Sequence, residues 1–193
     1  MKELERGETT PFTDQGWSFE SLVILQARDV HTHAKVKSDV EVRVLSGEAD
    51  WSEAARVQLT HANRRGPFPE ASSKITTDLM DRYRKLVENG MGHWYGAFLG
   101  DKMVGNVGLF FEGTIGRFQE IVTDPDHRRQ GVGTTLVYRA ARRALDELGV
   151  ERLVMAADIE YHAARVYESV GFAPTESKYS LLLLPDGTAA ADT

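Results

Sequence analysis

The chain has 193 residues, 41% of them apolar, with no cysteine and a formal net charge of −6. That length and apolar content suffice for one sizeable core and require no second domain. The absence of cysteine excludes disulfides, thiolate catalysis and Cys-based metal sites; the acidic balance argues against a general nucleic-acid binder and mildly favours cationic or amine partners.

In chain order, residues 1–16 are polar and carry Gly7, Pro11 and Gly16, the composition of a loosely held arm. The opening Met1-Lys-Glu-Leu-Glu-Arg-Gly-Glu holds no apolar signal-peptide core, so a cytoplasmic protein is expected. Phe19 to Ala27, with the run Leu22-Val-Ile-Leu25, and the alternating Val40, Val42 and Val44 predict a strand on each side of a polar connection. Asp50 with Glu53 reads as a capping box opening a helix with Trp51, Ala55, Leu59 and Ala62 on one face, broken by Gly66-Pro67 and Pro69. A second helix is predicted from about Ser73, with Ile75, Leu79, Tyr83, Leu86 and Val87 inward and Asn89-Gly90 closing it. Strands follow at His93 to Leu99 and Met103 to Phe111, joined by the hairpin signal Gly100-Asp-Lys102, then at Gly116 to Thr123.

Pro125 bars extension of that last strand, and the basic turn Asp124-Pro-Asp-His-Arg-Arg-Gln-Gly-Val-Gly133 leads into a helix. Val132, Leu136, Ala140, Ala144 and Leu148 form its apolar stripe, with Gly149 as its stop. The first turn of such a helix carries unpaired N–H groups and the positive end of the macrodipole, and Gly131 and Gly133 lack Cβ atoms that would hold a ligand away. An anion can therefore sit on the backbone here. A strand at Arg152 to Ala157, a helix at Tyr161 to Val170 ended by Gly171, and a strand from about Tyr179 to Leu184 complete the chain. The order is β, α, α, β, β, β, α, β, α, β, with no internal repeat.

This order and two motifs resemble the GNAT superfamily of N-acetyltransferases, which move an acetyl group from acetyl-CoA to an amine. Arg128-Arg-Gln-Gly-Val-Gly133 fits the family's pyrophosphate turn, preceded by Pro125 between Asp124 and Asp126 after a strand that looks like the family's fourth. Ala163-Ala-Arg-Val-Tyr-Glu-Ser-Val-Gly-Phe172 is similar to the family's Ala-x-x-x-Tyr-x-x-x-Gly-Phe segment. One departure is Glu160, at the position where many members place an Asn that helps hold the cofactor arm.

The resemblance implies an α/β (α+β) GNAT fold. Its sheet is mixed, mostly antiparallel, of about six to seven strands flanked by about four helices, with the fourth and fifth strands splayed. It divides the chain into an N-terminal arm with a probable extra strand at residues 1–39, the acetyltransferase domain at 40–184 and a tail at 185–193. It also implies acetyl-CoA as donor, a small-molecule or peptide amine as acceptor and a homodimer. No metal, nucleic acid or membrane partner is expected. The pyrophosphate would lie over the N–H groups of Gln130, Gly131, Val132, Gly133 and Thr134, with Arg128 or Arg129 adding charge-assisted contacts. Ile121, Val122 and Thr123 would pair with the pantetheine arm, one N–H serving as oxyanion donor.

Amine attack needs a base, and the departing thiolate benefits from an acid. Glu120 is the candidate base; the competing reading turns it to the opposite face to pair with Arg117, and His127, His93 and a water chain are rival bases. Tyr167 is the candidate acid, its alternative being plain packing with Val170 and Phe172. His31-x-His33 lacks a recognisable third metal ligand and reads as a solvated loop; Arg139, Arg142 and Arg143 read as the wet face of the glycine helix. Trp94, Tyr95, Phe110 and Phe111 read as core or cross-strand pairs before acceptor-pocket residues. A Rossmann site is disfavoured because Leu136 holds the third glycine position and three strands precede the motif. A non-catalytic acyl-CoA-binding or regulatory module is the remaining alternative.

Overall fold

The computed structural model describes residues 9–63, 69–158 and 163–183. Glu160, Leu184, the tail at 185–193 and the first eight residues of the expected arm lie outside them. The described chain runs α1 (Thr10–Thr13), β1 (Trp17–Ala27), β2 (Glu41–Val44), α2 (Gly47–Asn63), α3 (Pro69–Glu88), β3 (Gly92–Leu99), β4 (Lys102–Glu112), β5 (Ile115–Thr123), α4 (Val132–Glu147), β6 (Arg152–Asp158), α5 (Ala163–Glu168) and β7 (Ala173–Leu183). All seven strands form one sheet in the order β2-β3-β4-β5-β6-β1-β7. Every neighbouring pair is antiparallel except β5 and β6, which are parallel and joined through α4.

Helices cover both faces. One apolar cluster packs Leu136, Val137, Ala140 and Ala144 of α4 and Tyr167 of α5 against strand residues including Leu25, Val107, Leu109, Phe118 and Met155. On the other face, Trp51, Ala54 and Val57 of α2 and Met80 of α3 pack against Trp94, Phe98, Met103 and Val122. Trp94 and Tyr95 are thus core, as their strand setting suggested.

Four expectations need correction. Helix α2 starts at Gly47 rather than Asp50, because the Asp50 carboxylate reaches back to the Ser46 N–H (2.7 Å) and binds Arg43; Glu53 pairs with Arg56 instead of completing a capping box. The buried face of α2 is Trp51, Ala54, Val57 and Gln58, one step round from the predicted stripe. On α3, Ile75 is exposed and Met80 takes the inward place. Strand β7 begins at Ala173, six residues before Tyr179, since its whole length finds a partner in β1.

Strand β1 is internal, paired from Leu22 to Ala27 with β6 and from Trp17 to Gln26 with β7. Leu25, toward its C-terminal end, has no exposed surface. Truncating a buried leucine costs about 2–5 kcal/mol, so Leu25→Ala should lower the urea-unfolding free energy by that amount. A loss within experimental error would place β1 outside the cooperative core.

Candidate active site

The site begins with the way β5 departs from its neighbours. It pairs with β6 only at Ile115, Gly116 and Arg117, opposite Arg152, Leu153 and Val154, while β6 continues to Asp158 beside β1. From Phe118 onward the β6 side of β5 is open. The other side keeps its partner β4, with one irregularity: Gln119 faces Gly108 and Val122 faces Asn106, so three steps on β5 match two on β4. That extra residue is a β-bulge. Glu120 sits in it with φ of 52°, a left-handed conformation that costs a non-glycine residue of order 1–3 kcal/mol.

The bulge reverses which way side chains point. Phe118 packs into the α4 and α5 cluster, whereas Val122, four residues on, packs into the α2 and α3 cluster. In an unbroken strand both would share a face. The N–H of Asp124 donates to Val104 O at 2.9 Å, so strand alternation turns Val122 toward β4 as well. The N–H and C=O groups of Ile121 and Thr123 then face the open side. Of the three residues expected to pair with a donor, Ile121 and Thr123 present backbone to the gap; Val122 is committed to β4 and to the core.

A buried polar network holds the bulge. Gln58, almost wholly buried on α2, donates its two Nε2 hydrogens to Glu120 O (2.9 Å) and Asn106 Oδ1 (2.8 Å). Trp94 Nε1 gives Asn106 Oδ1 its second hydrogen bond at 3.1 Å, and Asn106 Nδ2 donates to Ala54 O at 3.2 Å. The Gln58 and Asn106 amides and the Trp94 indole are thus linked by buried hydrogen bonds, which rigidify this part of the core.

The Glu120 carboxylate turns toward α3, not Arg117. Its Oε1 accepts from Gln119 Nε2 at 3.3 Å and from the Tyr83 hydroxyl at 3.5 Å. Burial, reinforced by that carboxylate, pushes the Tyr83 phenol up to about 12, so it stays protonated and able to donate. Tyr167 lies buried in the cluster on the opposite side of the sheet. Candidate base and candidate acid therefore lie on opposite faces of the sheet, the base on β5 and the acid on α5, which packs against β6 and β1. His93 stacks edge-on with Tyr95 and Phe111 on the α4 side, where burial and Arg143 lower its pKa.

Beyond Thr123 the chain makes a one-turn 3₁₀ segment, Pro125–His127, capped by Asp124, whose carboxylate accepts from the Asp126 N–H at 3.0 Å. Burial raises the Asp124 pKa, but that N–H, His127 and Lys102 outweigh it and leave it below the ordinary value. Arg129 (φ of 61°) and Gly131 (φ of 85°) are both left-handed. Gly131 is the N-cap of α4 and no side chain caps the helix, so the first-turn N–H groups of Val132, Gly133 and Thr134 lack intrahelical partners, as at every helix start. A Cβ on Gly131 would lie 2.2 Å from Lys35 O, and one on Gly133 3.2 Å from Thr123 Oγ1.

The two arginines of the turn diverge. Arg128 folds back, with Nη2 2.7 Å from His61 Nδ1 and Nε 3.5 Å from Thr123 O, while Arg129 is exposed. Gln130 Nε2 donates to Asp126 O at 3.2 Å. The expected wet face of α4 carries a strap: Arg139 donates to Val40 O and Lys37 O, and Arg142 to Asp29, tying the β1–β2 connection along the helix. A cleft of about 430 Å³ opens beside the turn, lined by Lys37, Asp39, Val40, Leu99, Gln130 and Val132. Among the described residues no cluster of three or more His, Asp or Glu is arranged to hold a metal, and no helix is long and apolar enough to cross a membrane.

Comparison with known proteins places this architecture. The model of the acetyltransferase (GNAT) family matches residues 57–172, and the chain belongs to that family. No curated protein matches the sequence significantly. A functionally unknown conserved protein from Staphylococcus epidermidis superposes with a TM-score of 0.70 at 14% identity, over 93% of this chain and 68% of its own. A GCN5-related N-acetyltransferase from Kribbella flavida gives 0.59 at 16%, over 91% and 63%. A spermidine N-acetyltransferase chimera of Vibrio cholerae SpeG and hSSAT gives 0.53 at 20%, over 68% and 78%. These likenesses are of fold, and the chain spans about two thirds of the length of the first two.

Gln58, Asn106 and Gln119 have no part in the sequence reading, and Tyr83 enters it only as an inward residue of α3. The one signal for Gln58 was a polar residue in register with Trp51 and Ala54 on an otherwise apolar helix face. A folded carboxyl held below its unfolded pKa stabilises the fold above that unfolded value and loses the effect as pH falls through the folded one. For Asp124, urea unfolding followed from about pH 6 to about pH 2.5 should therefore show an acid loss of stability that is smaller in Asp124→Asn. Identical acid limbs would contradict the role of Asp124 as the cap of the turn.

Proposed function

We propose that the protein is an acetyl-CoA-dependent N-acetyltransferase acting on a primary amine of a small molecule or peptide, by direct attack within a ternary complex. The observation that carries this reading is the conjunction of the open β5 edge at Ile121 and Thr123 with the uncapped start of α4 at Gly131 to Thr134. Donors of one kind would be offered to an extended amide-bearing arm and of the other to a pyrophosphate, and the two follow one another along the chain. When bound, acetyl-CoA supplies an acyl group activated as a thioester.

The chain's own groups have distinct tasks. Val132, Gly133 and Thr134 hold phosphate oxygens through backbone N–H groups, with Arg129, exposed at the turn, adding charge. Arg128 fixes the turn to α2 through His61. Ile121 N–H, on the open side of β5, would stabilise the charge that the thioester oxygen gains. Glu120, oriented by Gln119 and Tyr83, accepts the amine proton, and Tyr167 donates to the leaving sulfur. A cytoplasmic, dimeric enzyme is consistent with this reading, and its acetyltransferase domain joins β1, which pairs with β6 and β7, to the segment expected at residues 40–184.

Acetyl-CoA-dependent thiol release, screened over a panel of amines, tests the reading: turnover with at least one amine is expected, and failure to bind acetyl-CoA would sink it. Glu120→Gln and Tyr167→Phe should each lower kcat by about 10²–10⁴ with little change in acetyl-CoA affinity. Unchanged kcat in both would refute their roles.

A further inference from the structure

We infer that Gln58 is a positioning residue for acyl transfer: by holding the Glu120 carbonyl it aims the Ile121 N–H into the splay. The inference rests on the proposed donor site and adds to it a residue on α2 that touches neither donor nor acceptor.

Glu120 C=O and Ile121 N–H belong to one planar trans peptide unit and point in opposite directions. Gln58 Nε2 approaches the carbonyl from α2 at 2.9 Å, so the N–H on the other end of the plane is turned away from α2 and, because Val122 is paired to β4, away from β4. What remains in that direction is the gap between β5 and β6. Ordinary strand pairing cannot supply this control, because the bulge breaks the ladder between Gln119 and Val122. Glu120 is also left-handed without being glycine, a state that persists only where surrounding contacts determine it.

Gln58 is itself fixed. Its second hydrogen goes to Asn106 Oδ1, which also accepts from Trp94, while Asn106 Nδ2 donates to the Ala54 carbonyl, so both amide hydrogens of Gln58 are engaged. The chain Trp94, Asn106, Gln58, Glu120 O, Ile121 N–H thus runs from the core to the place where negative charge develops. No atom of Gln58 needs to meet the substrate for it to influence the rate.

Gln58→Met keeps the length and apolar bulk of the side chain and removes both donors. Val57→Ala, a fully buried neighbour in the apolar cluster of the same helix, serves as a packing control that leaves the Glu120 carbonyl held. Thermal unfolding, CoA affinity by calorimetry, and kcat with the amine giving fastest wild-type turnover are measured for both. In Gln58→Met, kcat should fall about ten- to a hundredfold. CoA, which lacks the thioester oxygen, should bind both variants within about threefold of wild type, and Val57→Ala should keep kcat within about threefold. If Gln58→Met does not fold, Gln58→Asn, one methylene too short to reach the carbonyl, is read in its place with the same expectations. An active wild type with kcat unchanged in the Gln58 variant, or lowered equally in Val57→Ala, overturns the role of Gln58 alone. A wild type that binds no acetyl-CoA overturns the donor site and this inference together.

Discussion

The bulge at Glu120 is the constraint on which the rest of this site depends. One additional residue on β5 reverses the parity of the strand, so that the segment before it packs beneath α4 and the segment after it packs beneath α2. The same reversal points the Glu120 carboxylate toward Tyr83 and leaves the Ile121 and Thr123 backbone facing the gap where β6 has moved away. A regular strand would bury those backbone groups in a ladder, and a simple edge strand would expose them without fixing their direction. The cost of a left-handed glutamate is set against the buried hydrogen bonds that Gln58 makes to Glu120 O and Asn106.

The turn after β5 extends this arrangement. Asp124 ends the strand with its N–H still bonded to Val104 and its carboxylate capping the 3₁₀ segment, so the strand edge and the start of α4 are fixed relative to one another. Close packing against the β1–β2 strap explains why Gly131 must lack a Cβ, whereas a Cβ on Gly133 would only crowd the Thr123 hydroxyl. Gly131 is thus required by the fold's own contacts as well as by any ligand. The strap in turn depends on Arg139 and Arg142, so part of the basic surface of α4 is structural.

How much of this was legible in the sequence differs by element for physical reasons. The glycine turn, the α4 stripe and the β3–β4 hairpin were legible because their signals are local: a proline stop, a helical period, a short polar loop. The placement of β1 between β6 and β7 was not, since pairing partners more than a hundred residues apart leave no mark in the pattern of either strand. The bulge was equally hidden, because the left-handed residue is a glutamate and not a glycine. Glu120 was found as a candidate from its type and place on the strand; its partners Tyr83 and Gln119, and the network through Gln58 and Asn106, exist only once α2 and α3 are laid across β4 and β5. Arg128 and Arg129 are indistinguishable as neighbours in sequence, and only the fold sends one to His61 and leaves the other exposed.

The proposed function requires that backbone groups on β5 and at the start of α4 together receive one CoA thioester. Backbone amide NMR of the protein titrated with acetyl-CoA reads those groups one by one. The amides of Ile121, Thr123, Val132, Gly133 and Thr134 should shift together along one binding isotherm, with Val122, bonded to β4, much less affected. Saturation with acetyl-CoA that leaves the β5 amides unmoved, or perturbs a different face of the sheet, would contradict it.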